Sequence, residues 1–395
     1  MVKVGIIGGS IGGLTAACLL KDKGLAKVEI FERSHSELEQ RGAGIGFLEA
    51  ASRYLKQFAK IDLNDISVIT PKIRYLNRAN EVIFEKDHPY RFSSWTTVYK
   101  LLLKSFDPDY YKLGHELVEW ENGSKGVTAK FGNAESETFD FMICADGVGS
   151  DSRKKLLPDV KNNYSGYVAW RGMVPESELD QRLSKRLSEA ITYYVFANSH
   201  ILVYPIPSLN GSVTKGKRLI NFVWYRNYAE GSELNDLLTG NDNQNRPLSV
   251  PPGLLKEHHV LEAKAVARAR MPEDIADLIE ATKNPFIQVI YDVAVEKMVF
   301  QRICLLGDAA FVARPHAAAG SAKAAEDGWQ LANCLEKKKD IDESLKMWER
   351  TQLRLGEDLI RRTRLIGNRS QVYNNWNPKE KRFLFGLHKA GEQYE

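Results

Sequence analysis

The feature that most constrains this chain is a glycine-rich turn near its start, Gly8-Gly9-Ser10-Ile11-Gly12-Gly13. Before it, Val2-Lys3-Val4-Gly5-Ile6-Ile7 is short and apolar and reads as a buried parallel strand. After it, residues 12–23 read as a helix that sets Leu14, Ala17, Cys18 and Leu20 against a sheet. Val28-Glu29-Ile30-Phe31-Glu32 follows as a second strand and completes a βαβ unit. Glycines at such a turn let the chain bend tightly, bring backbone N–H groups close to a pyrophosphate, and let helix and strand pack closely. The helix N-terminus adds its partial positive charge. Glu32, 19 residues beyond Gly13, is placed to accept hydrogen bonds from a ribose. Ser10 stands where the fingerprint has its middle glycine. The turn alone leaves a purely structural role open; with the βαβ unit and Glu32, it points to a bound dinucleotide.

A chain of 395 residues exceeds the usual size of one hydrophobic core, so two subdomains are expected. Residues 73–85 and 115–131 alternate as strands do. Residues 164–174, 190–206 and 218–226 read as longer antiparallel strands rich in Tyr, Trp, Val and Ile. Residues 227–253 turn to Asn, Gly, Asp and Pro and read as a surface loop. Residues 257–282 read as helical, 286–291 and 302–306 as strands, and the chain from about 319 as helical again. There Leu345, Trp348, Leu355, Leu359 and Ile366 form one apolar stripe. This predicts an α/β fold: a Rossmann-like nucleotide domain (1–72, 96–163 and 286–340) interrupted by a mostly antiparallel sheet domain (73–95 and 164–285), with C-terminal helices over 341–395. A ligand site between the two is the default expectation.

Composition narrows the function. Net charge is +4, from 55 basic and 51 acidic residues interspersed along the chain, which argues against nucleic acid as a partner. The cluster Arg361-Arg362-Thr363-Arg364 reads as the solvated face of a helix. Cys18, Cys144, Cys304 and Cys334 are far apart in apolar contexts, so neither a zinc site nor a disulfide framework is expected. No apolar run is long enough for a membrane span. The chain opens directly into a strand, with no room for a signal peptide, and a cytoplasmic location is expected.

Two later motifs specify the dinucleotide. One is Cys144-Ala145-Asp146-Gly147-Val148-Gly149-Ser150-Asp151-Ser152-Arg153, a strand end, a turn and a helix start. The other is Leu305-Leu306-Gly307-Asp308-Ala309-Ala310, followed by Pro315, Gly320 and Asp327. In this order the three motifs resemble the FAD-dependent aromatic hydroxylases, the flavoprotein monooxygenases typified by para-hydroxybenzoate hydroxylase. Further stretches are similar to the dihydroxypyridine-hydroxylating branch of that family: Tyr164 to Gly172, Tyr204-Pro205-Ile206-Pro207, Asn221 to Tyr225, Arg314 to Gly320 and Phe385-Gly386-Leu387. The resemblance covers roughly residues 2–390. It departs from the family at Phe311, where His is common, at Tyr99, where Arg is often found, and over Ala318-Ala319-Gly320-Ser321-Ala322.

The resemblance implies a para-hydroxybenzoate-hydroxylase-type fold with bound FAD, NADPH or NADH as transient co-substrate, no metal, and a homodimer. It implies that NAD(P)H reduces FAD, that oxygen adds at flavin C4a, and that the hydroperoxide hydroxylates an electron-rich ring. Implied FAD contacts are Gly8, Gly9, Ser10, Ile11, Gly12, Gly13, Glu32, Arg33, Gly44, Asp146, Gly147, Asp308, Pro315, Gly320, Ser321 and Ala322. Asp308 is assigned the ribitol, and the helix at Gly320 the charge of reduced flavin.

His316 is the catalytic candidate, since a histidine near neutrality suits a proton acceptor; packing is its other reading. Tyr167, Trp170, Arg171, Tyr204 and Trp224 are substrate-pocket candidates, or core. His258 and His259 are expected to diverge on a helix rather than chelate. A reductase or dehydrogenase of the same fold remains the alternative function, as does a non-catalytic flavin-binding protein.

Overall fold

A computed structural model describes residues 1–38, 43–338 and 340–392. The strand Val2–Ile7 lies inside a six-stranded sheet, paired in parallel with Ala26–Glu32 on one side and Phe141–Cys144 on the other. Tyr111–Leu113 extends the sheet beyond Ala26–Glu32, and Ile303–Leu305 extends it beyond Phe141–Cys144, both in parallel. Strands covered on both faces read as continuous apolar runs, and Phe141–Cys144 is buried throughout. The helix Ile11–Asp22 packs on this sheet together with Gly320–Lys337. Thus the glycine-rich turn, the Asp146 turn and the Gly307-Asp308 turn all leave the same end of neighbouring parallel strands, where ligands of such sheets bind.

A second sheet of nine strands stands against the first, in the order Ser249–Val250, Phe286–Asp292, Asn163–Pro175, Leu219–Asn227, Ser199–Ile206, Ala190–Phe196, Val68–Leu76, Val82–Ser94, Gly44–Gly46. It is antiparallel except where Ala190–Phe196 runs parallel to Val68–Leu76. Its register sets Ala169 opposite Tyr225 and Trp170 opposite Trp224. Because side chains alternate across a strand, Ala169, Arg171, Val223 and Tyr225 share one face. Val168, Trp170, Phe222 and Trp224 share the other, which forms a core with helices Glu257–Arg270 and Glu273–Ala281.

Several local expectations are corrected. Residues 190–206 form a hairpin rather than one strand, turning at Asn198 with φ 54°. The helix expected over 257–282 breaks at Met271-Pro272, because proline cannot donate within a helix. The loop over 227–253 contains the helix Ser232–Leu238 and the edge strand Ser249–Val250. Arg362 is not on a solvated face: it is 3% exposed and donates to the carbonyls of Arg382, Leu384 and Gly386, holding the C-terminal segment. All four cysteines are buried and free. Among the described residues no helix is long and apolar enough to cross a membrane.

The apolar stripe of the 31-residue helix Ile341–Gln371 is buried as its spacing predicts. Trp348, in its N-terminal third, is fully buried and donates from Nε1 to the Asp327 carbonyl at 2.8 Å. Trp348→Ala should therefore cost about 3–5 kcal/mol by cavity formation. An unshifted urea midpoint would show that this helix does not stabilise the nucleotide-binding sheet.

Candidate active site

The turn after the first strand takes its shape from two glycines. Gly8 has φ +100°, and a Cβ on Gly13 would sit 2.0 Å from the Gly8 carbonyl oxygen, so the chain folds back where a side chain cannot fit. The Glu32 carboxylate accepts from the N–H groups of Gly9 at 3.0 Å and Ser34 at 2.9 Å. Tyr111 donates to the Gly9 carbonyl at 2.9 Å, and its hydroxyl meets that of Tyr99 at 3.2 Å. Tyr99, at the family's arginine position, is fully buried and accepts from Leu38 N–H. It braces the turn from below. Gly8, Ser10, Glu32, Arg33, Asp146 and Gly147 line a cleft of about 210 Å³ here. Arg33 stands on its rim, 3.5 Å from Asp151. Ile11 is buried in the core, and Gly12 faces Ala324 and Leu306. The N–H and C=O of Gly9 are both taken by protein partners, Glu32 and Tyr111.

The Asp146 carboxylate accepts from Ser150 Oγ at 2.6 Å and Ser152 N–H at 3.0 Å, shaping the turn into Asp151–Leu156. Arg153, given no role by the sequence reading, is buried and donates to the carbonyls of Val148, Asp308 and Ala309. It ties two strand exits together. Only its position in the Asp146 motif could have signalled this.

Arg33, Trp95 and Asp146 also line a second cleft of about 520 Å³ between the two sheets, so one trough runs from the glycine turn to the large sheet. Asp308, Pro315, Gly320 and Ser321 line it from the nucleotide-domain side, and Gly44 lines it from the large sheet. Ala322 is fully buried and does not reach it. No protein donor among the described residues bonds the Asp308 side chain, and burial pushes its carboxyl up to about 6, against the pull of Lys323 and Arg153. A carboxylate in need of donors, facing a trough, fits a polyol. The helix Gly320–Lys337 opens toward the trough with no acidic residue in its first turn, so its N-terminus presents partial positive charge to an anionic ring. Together with the glycine turn, these residues fit FAD.

Across the trough, the peptide of Gly44 is clamped. Its carbonyl accepts from Arg171 at 2.6 Å and Tyr204 at 3.0 Å, and its N–H donates to Asn221 Oδ1 at 3.0 Å. A Cβ on Gly44 would lie 2.7 Å from the Tyr204 ring, and one on Gly46 would lie 2.5 Å from the Ala318 Cβ. Arg171 and Tyr204 thus line the cleft with their donors turned to the backbone. The second Arg171 nitrogen donates to Gln288 at 2.8 Å. Asn221, fully buried in a strand, was missed; a polar residue there signals an obligatory partner.

Trp170 and Trp224 are corrected as pocket residues. Strand alternation turns both to the opposite face, where their N–H groups donate to Tyr228 and Ser199. Tyr225, opposite Ala169, lines the cleft instead, and its hydroxyl has no hydrogen-bond partner among the described residues.

His316 lies behind that wall, 5% exposed. Its Nε2 bonds the Tyr167 hydroxyl at 2.7 Å, and its ring centroid is 4.6 Å from Tyr225 and 5.2 Å from His200. Tyr167, 1% exposed, also meets Arg314, which is paired with buried Asp292 at 2.8 Å. Burial, His200 and Arg314 hold the His316 pKa well below the usual imidazole range. His316 is therefore neutral, but it stands one layer from the cleft rather than on its surface.

Residues 164–292 match a family model described as FAD binding domain-like. The chain is 33% identical over 391 residues to 2,6-dihydroxypyridine 3-monooxygenase of Paenarthrobacter nicotinovorans, covering 99% of this chain and 97% of that one. The structure of 2,6-dihydroxypyridine-3-hydroxylase from Arthrobacter nicotinovorans matches with a TM-score of 0.93 at 32% identity, over 99% and 98% of the two chains. HpxO of Klebsiella pneumoniae, complexed with FAD and uric acid, shares the fold with a TM-score of 0.76 at 22% identity, over 94% and 89%.

Two tests address the trough. The folded, FAD-free protein prefers protonated Asp308, so its contribution is fully present below about pH 4 and lost as pH rises through about 6. The loss should be roughly 3 kcal/mol. Asp308→Asn should remove that slope from urea denaturation of the FAD-free protein; parallel profiles would refute a strained carboxylate. For the clamp, Asn221→Ala should leave the Gly44 N–H unsatisfied at about 1–3 kcal/mol and raise the FAD dissociation constant. Asn221→Asp, which keeps the acceptor, should restore part of it. Unchanged FAD affinity in the Ala variant removes the clamp.

Proposed function

The chain belongs to the FAD-dependent aromatic monooxygenases, and from that premise we propose that its substrate is a small dihydroxylated nitrogen heterocycle, bound as an anion and lacking a carboxylate. The enzyme hydroxylates an electron-rich aromatic or heteroaromatic ring, with NAD(P)H and dioxygen as co-substrates. Bound FAD supplies hydride acceptance and oxygen activation, the difficult chemistry, while the protein supplies position and electrostatics.

The observation that carries the finer reading is the charge arrangement in the 520 Å³ cleft. Among the described residues Arg171 has no carboxylate partner, and one N–H of each terminal nitrogen is committed, to Gly44 and to Gln288. It therefore lends a positive field to an anionic ring, while the end of its fork is less free for the two-pronged grip that a carboxylate favours. Ala169, Leu202, Val223 and Ile290 give the sheet face an apolar stretch against which a ring can lie. The free Tyr225 hydroxyl is the group assigned to orient a ring oxygen. Glu32 and Asp308 are assigned to the ribose and ribitol hydroxyls, and the Gly320 helix to the flavin ring.

His316 is assigned a positioning role. It fixes Tyr167 by a hydrogen bond and buttresses the Tyr225 ring, so it acts on substrate through Tyr225. The reading favours dihydroxypyridines over benzoates and salicylates, with one oxygen atom gained per NAD(P)H consumed. The check is a turnover panel with product mass spectrometry. Hydrogen peroxide as sole product across dihydroxypyridines, or preference for carboxylated rings, refutes it. His316→Ala should keep FAD and lower turnover by a similar factor for substrates of low and high pKa. A loss that grows toward the 10²–10⁴-fold of a general base, roughly, as substrate pKa rises would return the proton-transfer role to His316.

A further inference from the structure

Away from the trough, helices Ser232–Leu238 and Glu257–Arg270 bring three potential metal ligands together. Two adjacent histidines opening a helix were expected to diverge. They do not: the His258 and His259 ring centroids are 4.1 Å apart, with the planes tilted 42° to each other. Their Nε2 atoms lie 3.5 Å and 3.0 Å from the same oxygen, Asp236 Oδ2. One ligand atom from each of the three residues falls within 4.8 Å of the others.

We infer that Asp236, His258 and His259 form a surface site for a divalent transition-metal ion such as Zn²⁺, held by two imidazoles and one carboxylate. Ligand separations carry the argument. With metal–ligand distances of about 2.0–2.2 Å, adjacent ligand atoms around zinc stand roughly 3.0–3.5 Å apart. The two nitrogen–oxygen separations at Asp236 fall in that range. Furthermore, His259 Nε2 is buried and makes no hydrogen bond, despite its closeness to the carboxylate. An imidazole nitrogen aimed beside a carboxylate oxygen without bonding to it is an arrangement a shared cation completes.

The surroundings orient the carboxylate that such an ion needs. Lys256 Nζ engages the other carboxylate oxygen at 2.6 Å and so orients Oδ2 toward the imidazoles. The ammonium nearby also weakens the site, which makes a micromolar affinity the expectation rather than the tighter binding of a four-ligand structural site. Water fills the remaining positions, since Asp236 and His258 are 49% and 64% exposed on their side chains. Bound metal would tie Ser232–Leu238 to the start of Glu257–Arg270. The segment between these helices carries Leu248 and Ser249, which line the cleft.

The test uses tag-free, FAD-loaded enzyme stripped of metal by chelation and titrated calorimetrically with ZnCl₂ at pH 7.5. One equivalent should bind, with a raised melting temperature. Affinity should fall ~10-fold or more in His258→Ala and in Asp236→Ala, and should weaken as pH drops through the imidazole range. His258 is largely solvent-exposed, so its variant tests the site without disturbing the fold. No zinc binding overturns the inference. So does binding of equal affinity in both variants, which would place the ion elsewhere.

Discussion

Around one buried carboxylate, three otherwise separate parts of the chain are joined. Asp327 is fully buried; its Oδ2 accepts from Lys323 Nζ at 2.7 Å and from the Gly307 N–H at 2.9 Å. Its own carbonyl accepts from Trp348 on the long C-terminal helix. Burial pushes its pKa up, and Lys323 opposes that push. Removing either partner of such a pair leaves an uncompensated charge, at a cost of about 3–5 kcal/mol. The same contact fixes where the strand Ile303–Leu305 ends, where the helix Gly320–Lys337 begins, and therefore how far Asp308 stands from that helix's N-terminus. Both groups assigned to the flavin depend on it.

The opposite wall is held by a different device. Gly44 has no side chain, and three polar side chains from the large sheet converge on its backbone N–H and C=O. In a low-dielectric setting, satisfied backbone groups are rigid and unsatisfied ones costly, so the clamp fixes Gly44–Gly46 across the mouth of the trough. Its consequence is chemical as well as structural. It engages one terminal nitrogen of Arg171, the other meeting Gln288, and the hydroxyl of Tyr204, which leaves Tyr225 among the described residues as the sheet tyrosine whose hydroxyl is available to a ligand.

Behind Tyr225 lies a buried polar layer of Tyr167, His316, His200, Arg314 and Asp292. Its histidines are neutral for want of water: burial lowers the His200 pKa to about 3 and that of His316 well below its usual range. Neutral histidines, with Arg314 paired to Asp292 behind them, support the aromatic wall through hydrogen bonds and ring packing rather than through charge. This is why a histidine in a motif that looks catalytic can instead serve as its scaffold.

By itself, the sequence determined the nucleotide half of the protein. Gly8, Ser10, Glu32, Asp146, Asp308 and Gly320 line one trough because each stands in a tight turn, at a strand end or at a helix start, and such constraints are written locally. The apolar stripe from Leu345 to Ile366 was legible for the same reason. Tertiary structure decided the substrate side. Which face of a strand meets the cleft depends on register and on what packs behind it, so Trp170 and Trp224 went to the core while Tyr225 went to the site. Asn221, Arg153 and Arg362 took their roles from partners distant in sequence. The convergence of His258 and His259 on Asp236 likewise required a neighbouring helix, since no spacing within one segment specifies where a side chain from another will stand.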